Sequence, residues 1–485
     1  MMGTAMASPR LTALRAQRWL GIFGFSIVPA VTAGAIASVY LESVGHGVIV
    51  FVAVLTASLM LERERYPLHL MPFASVVVRA LVPLLGIGMA LATFALAGAP
   101  QPASEMLAPL LGAWVITVFA TAIRARFESS RQIRIGVIGS PGLASGLSEE
   151  LRLAGIGSHV VVGWVDGERP TAEAATGGPR RLGSFDQIRE VVTRHSIDFL
   201  VHSSGTPASD EAEPRRSRLE IFERVAECCL DLPVRLIEAS QLYEDLLGHV
   251  PLGQSNAAWF QYLLHPRYRA GASWSKRVFD LLVGGVMLIL MTPALIAFAI
   301  AIKLTDGGPV FYRQRRIGEG GREFEMLKLR SMTVAAEDVG ARWSKDEDDR
   351  VTWVGRIMRR LHIDEMPQLW NVLRGEMTIV GPRPERRELI VDLERRLAYY
   401  DRRHLVKPGL AGWAQARCGY GGSEEGTGWK LCHDLFYLKH RSVYFDSLVL
   451  LENVRVSLGS GVQFGARAPQ EQFILGQIGQ APEAW

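Results

Sequence analysis

Hydrophobic and polar positions divide the chain into three stretches. Four long apolar segments, at about 19–41, 44–61, 73–98 and 106–123, come first. Each approaches the roughly 20 residues that a helix needs to cross a bilayer. They are apolar on every face and nearly free of charge, unlike the one-sided helices of a soluble core. Arg79 is the exception, near one end of the third segment, where a long side chain can snorkel. From 131 to 250 short apolar runs alternate with amphipathic ones. Strands are predicted at Ile133–Ile138, Val160–Val165, Asp198–His202 and Val234–Leu236. Helices are predicted after Gly142 to about Ala154, at 185–195 and at 217–230, with surface loops at 170–182 and 203–217. Such alternation argues a parallel, Rossmann-like sheet.

After a linker at 251–272 comes an apolar run of about 25 residues ending at Ile302, long enough to cross a membrane. Beyond it the pattern predicts a strand at Phe324–Leu329, a short helix through Leu369–Leu373 and a charged helix at 385–404. A helix at about 442–458 is expected to lie along a membrane surface, and the tail from 466 is expected to be loosely ordered.

Lysine and arginine placement orients the membrane part. The N-terminus (Arg10, Arg15, Arg18), the 62–72 loop (Arg63, Arg65) and the exit (Arg124, Arg126, Arg131) are basic, whereas the 42–46 and 99–105 loops have no Lys or Arg. Both ends of the four-helix region are therefore expected in the cytoplasm. The later apolar run has cations on both flanks: Arg267, Arg269, Lys276 and Arg277 before it, Lys303, Arg313, Arg315 and Arg316 after it. Thr292-Pro293 breaks it at its middle. Proline removes a backbone hydrogen bond and kinks a helix, and the freed carbonyl needs a partner that the Thr292 hydroxyl can help to supply. These features predict a re-entrant helix, about 276–303, that enters and leaves the same leaflet.

Composition fits a split chain. At 485 residues, 48% hydrophobic and 21% charged, it has room for a membrane part and a water-facing part. The net charge of +4 gives no reason to expect nucleic acid; local basic patches suit a membrane surface better. Cys228, Cys229, Cys418 and Cys432 form no CxxC or Cys/His metal spacing and read as reduced structural thiols. No apolar core followed by a cleavage site marks a removed signal peptide. In the middle domain Gly139, Gly142 and Gly146 miss the G-x-G-x-x-G spacing, and Asp166 only loosely fits the acid that contacts a dinucleotide ribose. A structural or regulatory role is the better reading of that domain.

The chemistry concentrates in Arg359–Pro384, which reads RRLHIDEMPQLWNVLRGEMTIVGPRP. Asp364 and Glu365 are adjacent acids. Pro367 suits a first helical position, which would set the acids at a helix N-terminus, with Arg359 and Arg360 about one and a half turns upstream. Acids among cations and unpaired N–H groups suit a phosphate group and favour an ionised carboxylate. Gly381-Pro382-Arg383-Pro384 and Lys407–Trp413 add two rigid turns. Glu or Asp in a first helical turn is common, and a lone basic cluster is usually a solvated face; the length of the run is what outweighs those readings.

This run resembles the DE-x-PQ-x-x-NVL-x-G-[DE]-M-x-x-VGPRP pattern of the bacterial sugar transferases, monotopic polyprenyl-phosphate phosphoglycosyl transferases, with similarity over roughly 272–458. Phe324–Met332 resembles that family's F-x-x-x-K-x-R-[TS]-M segment, and Lys276, Arg277 and Asp280 match it too. Thr292 stands where the family has serine. Arg417–Gly421 and Lys430–Tyr437 resemble its exopolysaccharide and exosortase-linked branch.

The resemblance implies transfer of a sugar-1-phosphate from a UDP-sugar to undecaprenyl phosphate, with release of UMP. It implies Asp364 as nucleophile, Glu365 as Mg²⁺ ligand or acceptor assistant, and Lys328, Arg330, Arg359 and Arg383 on phosphates. The expected fold class is a multi-domain membrane protein: an α-helical transmembrane bundle (1–130), an α/β Rossmann-like, CoA-binding-like middle domain (131–250) and a mainly α catalytic domain (273–465) with the re-entrant helix. The expected location is the bacterial inner membrane, multi-pass, with the catalytic domain on the cytoplasmic face, against membrane lipid, and a homodimer is plausible. Two alternatives remain open: an NAD-dependent nucleotide-sugar dehydratase or epimerase, which would need a Tyr-x-x-x-Lys pair that Tyr437 does not supply, and a non-catalytic membrane scaffold.

Overall fold

A computed structural model describes residues 132–139, 141–166, 178–203, 215–252, 274–333, 350–397, 399–418 and 424–457, with Met71 and Val77. The expected transmembrane bundle, the linker centre and the tail lie outside the described residues. The described chain is mixed α/β and forms two compact units, the second taking up the chain at Glu238.

The first unit is built on a five-stranded sheet of order β3-β2-β1-β4-β5. Its strands are β1 (Ile133–Ile138), β2 (His159–Asp166), β3 (Arg180–Ser184), β4 (Phe199–His202) and β5 (Arg235–Glu238). β1 pairs in parallel with β2 and with β4, and β2 with β3. Helices α1 (Pro141–Leu153), α2 (Ile188–His195) and α3 (Arg215–Cys229) connect them. Ile135 and Val137 are fully buried, as expected of a central parallel strand covered on both faces. Ile138, Val165, Ile188, Val192, Leu200 and Val225 share one core cluster.

Strand β3 takes the last three residues of the expected loop at 170–182, of which 170–177 lie outside the described residues. Its sequence is RRLGS, with Leu182 its one large apolar residue; an edge strand need not carry an apolar alternation to be held by its neighbour's hydrogen bonds. The expected helix at 185–195 begins as a 3₁₀ turn, Phe185–Gln187.

The second unit opens with α4 (Ala239–Leu247). Glu244 receives Lys439 at 2.8 Å and His440 at 3.0 Å, and Trp413 Nε1 donates to Gly248 O at 2.7 Å. Residues 239–252 thus pack within the second unit, whereas the sequence pattern ran the middle domain to 250.

Helix α5 (Trp274–Asp306) is 33 residues long with Pro293 inside it. Its most apolar 18-residue stretch has a mean hydropathy of 2.5, which makes it the one candidate membrane helix among the described residues. Leu282, Ile289 and Leu290 are exposed. Both ends are packed on the same body. Near its start Arg277 donates to Val372 O and Leu373 O, each at 2.7 Å, and Asp280 accepts from Thr378 Oγ1 and from Ile379 N. Near its end Ile302 is buried with Leu329, Val354 and Met358. Thr292 Oγ1 donates to Leu288 O at 2.7 Å. Proline at 293 frees the carbonyl of Ile289, so the hydroxyl serves the carbonyl next to the one expected.

The remainder consists of the hairpin β6 (Phe311–Ile317) and β7 (Glu323–Leu329), α6 (Trp353–Arg360), α7 (Gln368–Arg374), β8 (Thr378–Val380), α8 (Arg387–Arg396), β9 (Gly409–Ala411), α9 (Trp413–Cys418), α10 (Glu424–His440) and α11 (Val443–Arg455). The charged stretch 385–404 is thus not one helix: α8 ends at Arg396 and a 3₁₀ helix follows at Tyr400–Leu405.

Helix α11 also departs from expectation. It is a core helix, with Phe445, Leu448 and Val449 buried and its buried Asp446 paired to Lys276 at 2.6 Å. The sequence pattern placed it along a membrane surface, because the partners of Asp446 and Asn453, Lys276 and Gly412 O, lie far away in the chain.

Candidate active site

The site is assembled from three segments that the fold brings together: the turn after α6, the end of β7 and the loop after β8. Helix α6 starts on a Thr352 cap, whose hydroxyl accepts from Gly355 N at 2.9 Å. It ends at Leu361, and His362 adopts a left-handed conformation (φ 54°). That residue reverses the chain into a 3₁₀ turn, Ile363–Glu365. A non-glycine residue there costs of order 1–2 kcal/mol, and such strain gathers at functional sites. The acids therefore occupy a separate turn just before α7, and Pro367 takes that helix's cap position, one residue earlier than expected.

Glu365 is buried, and cations hold it from two sides. Lys328 Nζ, on β7, lies 2.9 Å from Oε1. Arg383 forks the same carboxylate, Nη2 to Oε1 at 2.6 Å and Nη1 to Oε2 at 3.3 Å. Burial alone would raise the Glu365 pKa, but Arg383 and Lys328 outweigh it and hold the group well below the usual carboxylate range.

Asp364 is 7% exposed. Among the described residues its carboxylate has no hydrogen-bonded or ion-paired partner. Burial and the charge of Glu365 push its pKa up; Lys328, Arg359 and His362 pull it down without cancelling that. The expectation that cations favour an ionised carboxylate thus describes Glu365, while desolvation prevails at Asp364.

Arg359 stands in the last turn of α6, and its Nε donates to Ser331 Oγ at 3.0 Å. Lys328, Arg359 and Arg383 are accordingly gathered around the acid pair. Arg330 is directed elsewhere: it is buried with its guanidinium against Gly308, where a β-carbon would collide with it. Thr292 and Pro293 lie within α5, away from both of its packed ends.

The loop that carries Arg383 is locked to Lys407–Trp413. β8 and β9 pair in parallel, Gly381 N donates to Ala411 O at 2.9 Å, and Gly409 N donates to Pro382 O at 2.8 Å. A β-carbon on Gly381 would come within 2.6 Å of Lys407 O. The backbones touch, so glycine is required.

His362 and Asn371 were not singled out from sequence. Asn371 is nearly fully buried; its Oδ1 accepts from Leu327 N at 3.1 Å and its Nδ2 donates to Glu325 O at 2.7 Å, fastening α7 to the strand of Lys328. Its place inside the matched motif was the available signal. No sequence signal marks the left-handed turn at His362.

The dehydratase alternative finds no support here. Tyr437 is buried and donates to Val380 O at 2.6 Å and Asp446 Oδ1 at 2.8 Å, a structural role. In the first unit, Asp166 Oδ1 is taken by Arg181 Nε at 2.7 Å, which competes with the ribose contact a dinucleotide would need.

Comparison with known proteins gives the same direction. The profile for bacterial sugar transferases matches residues 271–460. A UDP-glucose:undecaprenyl-phosphate glucose-1-phosphate transferase of Caulobacter vibrioides is 39% identical over 224 residues, covering 45% of this chain and 84% of that protein. The chain belongs to the bacterial sugar transferase family.

Other bacterial sugar transferases match over less of their length. A UDP-N-acetylgalactosamine-undecaprenyl-phosphate N-acetylgalactosaminephosphotransferase of Aeromonas hydrophila is 37% identical over 247 residues, 51% of this chain and 57% of that protein. A glucose-1-phosphate transferase of Escherichia coli is 38% identical over 181 residues, 37% of this chain and 39% of that protein. The chain thus spans little more than half of the Aeromonas relative.

Proposed function

We propose that this bacterial sugar transferase moves a sugar-1-phosphate from a UDP-sugar to undecaprenyl phosphate. The observation that carries the proposal is the unequal acid pair. Glu365 is clamped by Lys328 and Arg383, while Asp364 beside it is buried and left without a partner among the described residues. A nucleophilic carboxylate needs a free oxygen, a desolvated setting and nearby cations to receive a diphosphate.

The reaction then runs in two displacements. An Asp364 oxygen attacks the sugar-bearing phosphorus, and the bond from that phosphorus to the bridging oxygen breaks as UMP leaves. An oxygen of undecaprenyl phosphate next attacks the same phosphorus, and the bond to Asp364 breaks. The product is undecaprenyl-diphosphate-sugar, and the carboxylate is regenerated. Lys328, Arg359 and Arg383 offset the charge of the two polyanions; Arg330, buried against Gly308, takes no part.

Mg²⁺ fits this donor set. One or two carboxylates plus substrate phosphates are its usual shell. Glu365 Oε2 carries only the longer contact to Arg383, 3.3 Å, so it is the less committed oxygen. When bound with the donor, the ion would neutralise charge on the phosphates.

Membrane placement follows from α5. A 33-residue helix is about 50 Å long if straight, yet both of its ends pack on one body. This supports a helix that enters and leaves the same, cytoplasmic leaflet of the inner membrane, with the bend at Thr292-Pro293. The edge of α6 supports it too: Trp353, Ile357 and Leu361 are exposed at helical spacing, with Arg356 and Arg360 in the same helix, so α6 takes the interfacial role expected of 442–458. The lipid-linked sugar would begin an exopolysaccharide or related glycan.

Purified full-length protein with undecaprenyl phosphate and a panel of UDP-glucose, UDP-galactose and UDP-N-acetylgalactosamine tests this. UMP release with at least one donor is expected, together with a sugar-phosphate adduct that Asp364→Asn does not form. Absence of UMP with every donor, or an adduct retained in the variant, would overturn it.

A further inference from the structure

The loop that brings Arg383 to Glu365 cannot fix itself. Pro382 and Pro384 have no N–H, so the loop has few internal hydrogen bonds to make, and its buried carbonyls must be satisfied by other groups. The Gly409 N–H serves Pro382 O, and side chains from distant segments serve the carbonyls around it. Tyr437 donates to Val380 O at 2.6 Å and Arg316 Nη1 to Pro384 O at 3.1 Å. Arg403 Nη2 donates to Arg383 O at 3.1 Å.

Arg403 is the most elaborately held of these. It is 4% exposed, in the 3₁₀ helix Tyr400–Leu405. Its Nη1 donates to Tyr400 Oη at 2.6 Å, and its Nη2 lies 2.8 Å from Oδ2 of Asp434, on α10 and 2% exposed. A buried ion pair is weak evidence for stability, since an apolar pair of the same volume often does as well. Here the guanidinium also spends a nitrogen on the main chain of the residue whose side chain grips Glu365.

We propose that Arg403, oriented by Asp434, is a positioning residue: it fixes the main chain at Arg383 and so sets the Arg383 guanidinium against Glu365. Both residues are buried and act through Arg383. The inference rests on the reading of Glu365 and Arg383 as parts of a transferase site, and it extends that site to a pair outside the matched Asp364–Pro384 run.

The test is a double-mutant cycle in the full-length protein, read as kcat and KM for UMP release. Lysine at 403 keeps the charge but cannot serve Asp434, Tyr400 and the Arg383 carbonyl together. Arg403→Lys and Asp434→Asn should each lower kcat about 10- to 100-fold, the scale of a small misplacement, with KM changed by less than about threefold. Combined with Arg383→Lys, either should be no more than about threefold slower than the slower single variant, because residues acting through one another are not additive. Effects that multiply, or a loss confined to KM, would overturn the proposal. Should Arg403→Lys lose its thermal unfolding transition, the Asp434→Asn and Arg383→Lys cycle decides. A wild type that releases no UMP fails the functional reading, not this one: the inference is then read from crystal structures of wild type and Asp434→Asn, where an Arg383 guanidinium displaced from Glu365 in the variant supports it and an unmoved one sinks it.

Discussion

The guanidinium of Arg383 grips the carboxylate of Glu365 through both terminal nitrogens, at 2.6 and 3.3 Å, while Lys328 meets the same Oε1 at 2.9 Å. An ammonium cannot reproduce a planar fork. Arg383→Lys should therefore lower kcat/KM for UMP release about 10- to 100-fold, equivalent to about 1.4–2.7 kcal/mol. Glu365→Gln removes the charge that both cations serve and should cost more than Arg383→Lys in the same assay. A wild-type rate in either variant would remove the pair from the mechanism.

Asp364 must be ionised to attack, and in this fold burial and Glu365 raise its pKa. The acid limb of the kcat/KM profile should accordingly lie above the ordinary aspartate range. The sign of each neighbour is fixed. Glu365→Gln deletes a raising influence and should move the limb to lower pH in whatever activity remains. Lys328→Met deletes a lowering influence and should move it to higher pH. UMP release measured between pH 4 and 9 checks both, and a limb that moves the other way would contradict the assignment of Asp364.

Much of this site was legible because its parts lie in two short runs. Lys328, Asp364, Glu365 and Arg383 sit at motif positions, and the structure brings them within reach of one another. Four things were hidden. Desolvation reverses the pKa argument at Asp364, and burial is a tertiary property. The Arg403–Asp434 pair joins a 3₁₀ helix to α10, which no local pattern connects. Helix α11 carries Asp446 and Asn453 on a buried face, where they meet Lys276 and Gly412 O, so the expected membrane-surface helix is a core one. Strand β3 was missed because its RRLGS sequence has no alternation to see. The Rossmann-like order of the first unit, by contrast, followed from apolar runs in strands buried on both faces.

The placement of α5 makes a prediction about topology. Trp274 and Leu304, at its two ends, are 80% and 82% exposed. A cysteine at either, in a chain otherwise free of cysteine, should react with a membrane-impermeant thiol reagent only from the cytoplasmic side, in inside-out vesicles. Pro293→Ala restores the hydrogen bond to Ile289 O and removes the cause of the proposed bend. It should shift a fraction of molecules to a spanning helix, with one end now labelled from outside. Opposite-side labelling of the two ends in the wild type would refute the same-leaflet reading.

A last prediction concerns His433, on α10. Its ring is buried, its Nδ1 lies 2.8 Å from Trp429 O, and it packs against the His249 ring at 5.3 Å between centroids. Burial pushes its pKa down to about 3, whereas in the unfolded chain it titrates near 6.5. Between those values the unfolded state binds the proton and the folded state does not, so stability falls as pH falls. The loss is about 1.4 kcal/mol per pH unit below 6.5. Other acids titrate over the same range, but they are common to wild type and to His433→Gln. The stability advantage of the wild type over that variant should thus shrink by about this amount per unit from pH 6.5 towards 4, followed by thermal unfolding with the protein's tryptophan fluorescence. A constant difference across that range would mean that His433 takes up its proton without leaving the fold.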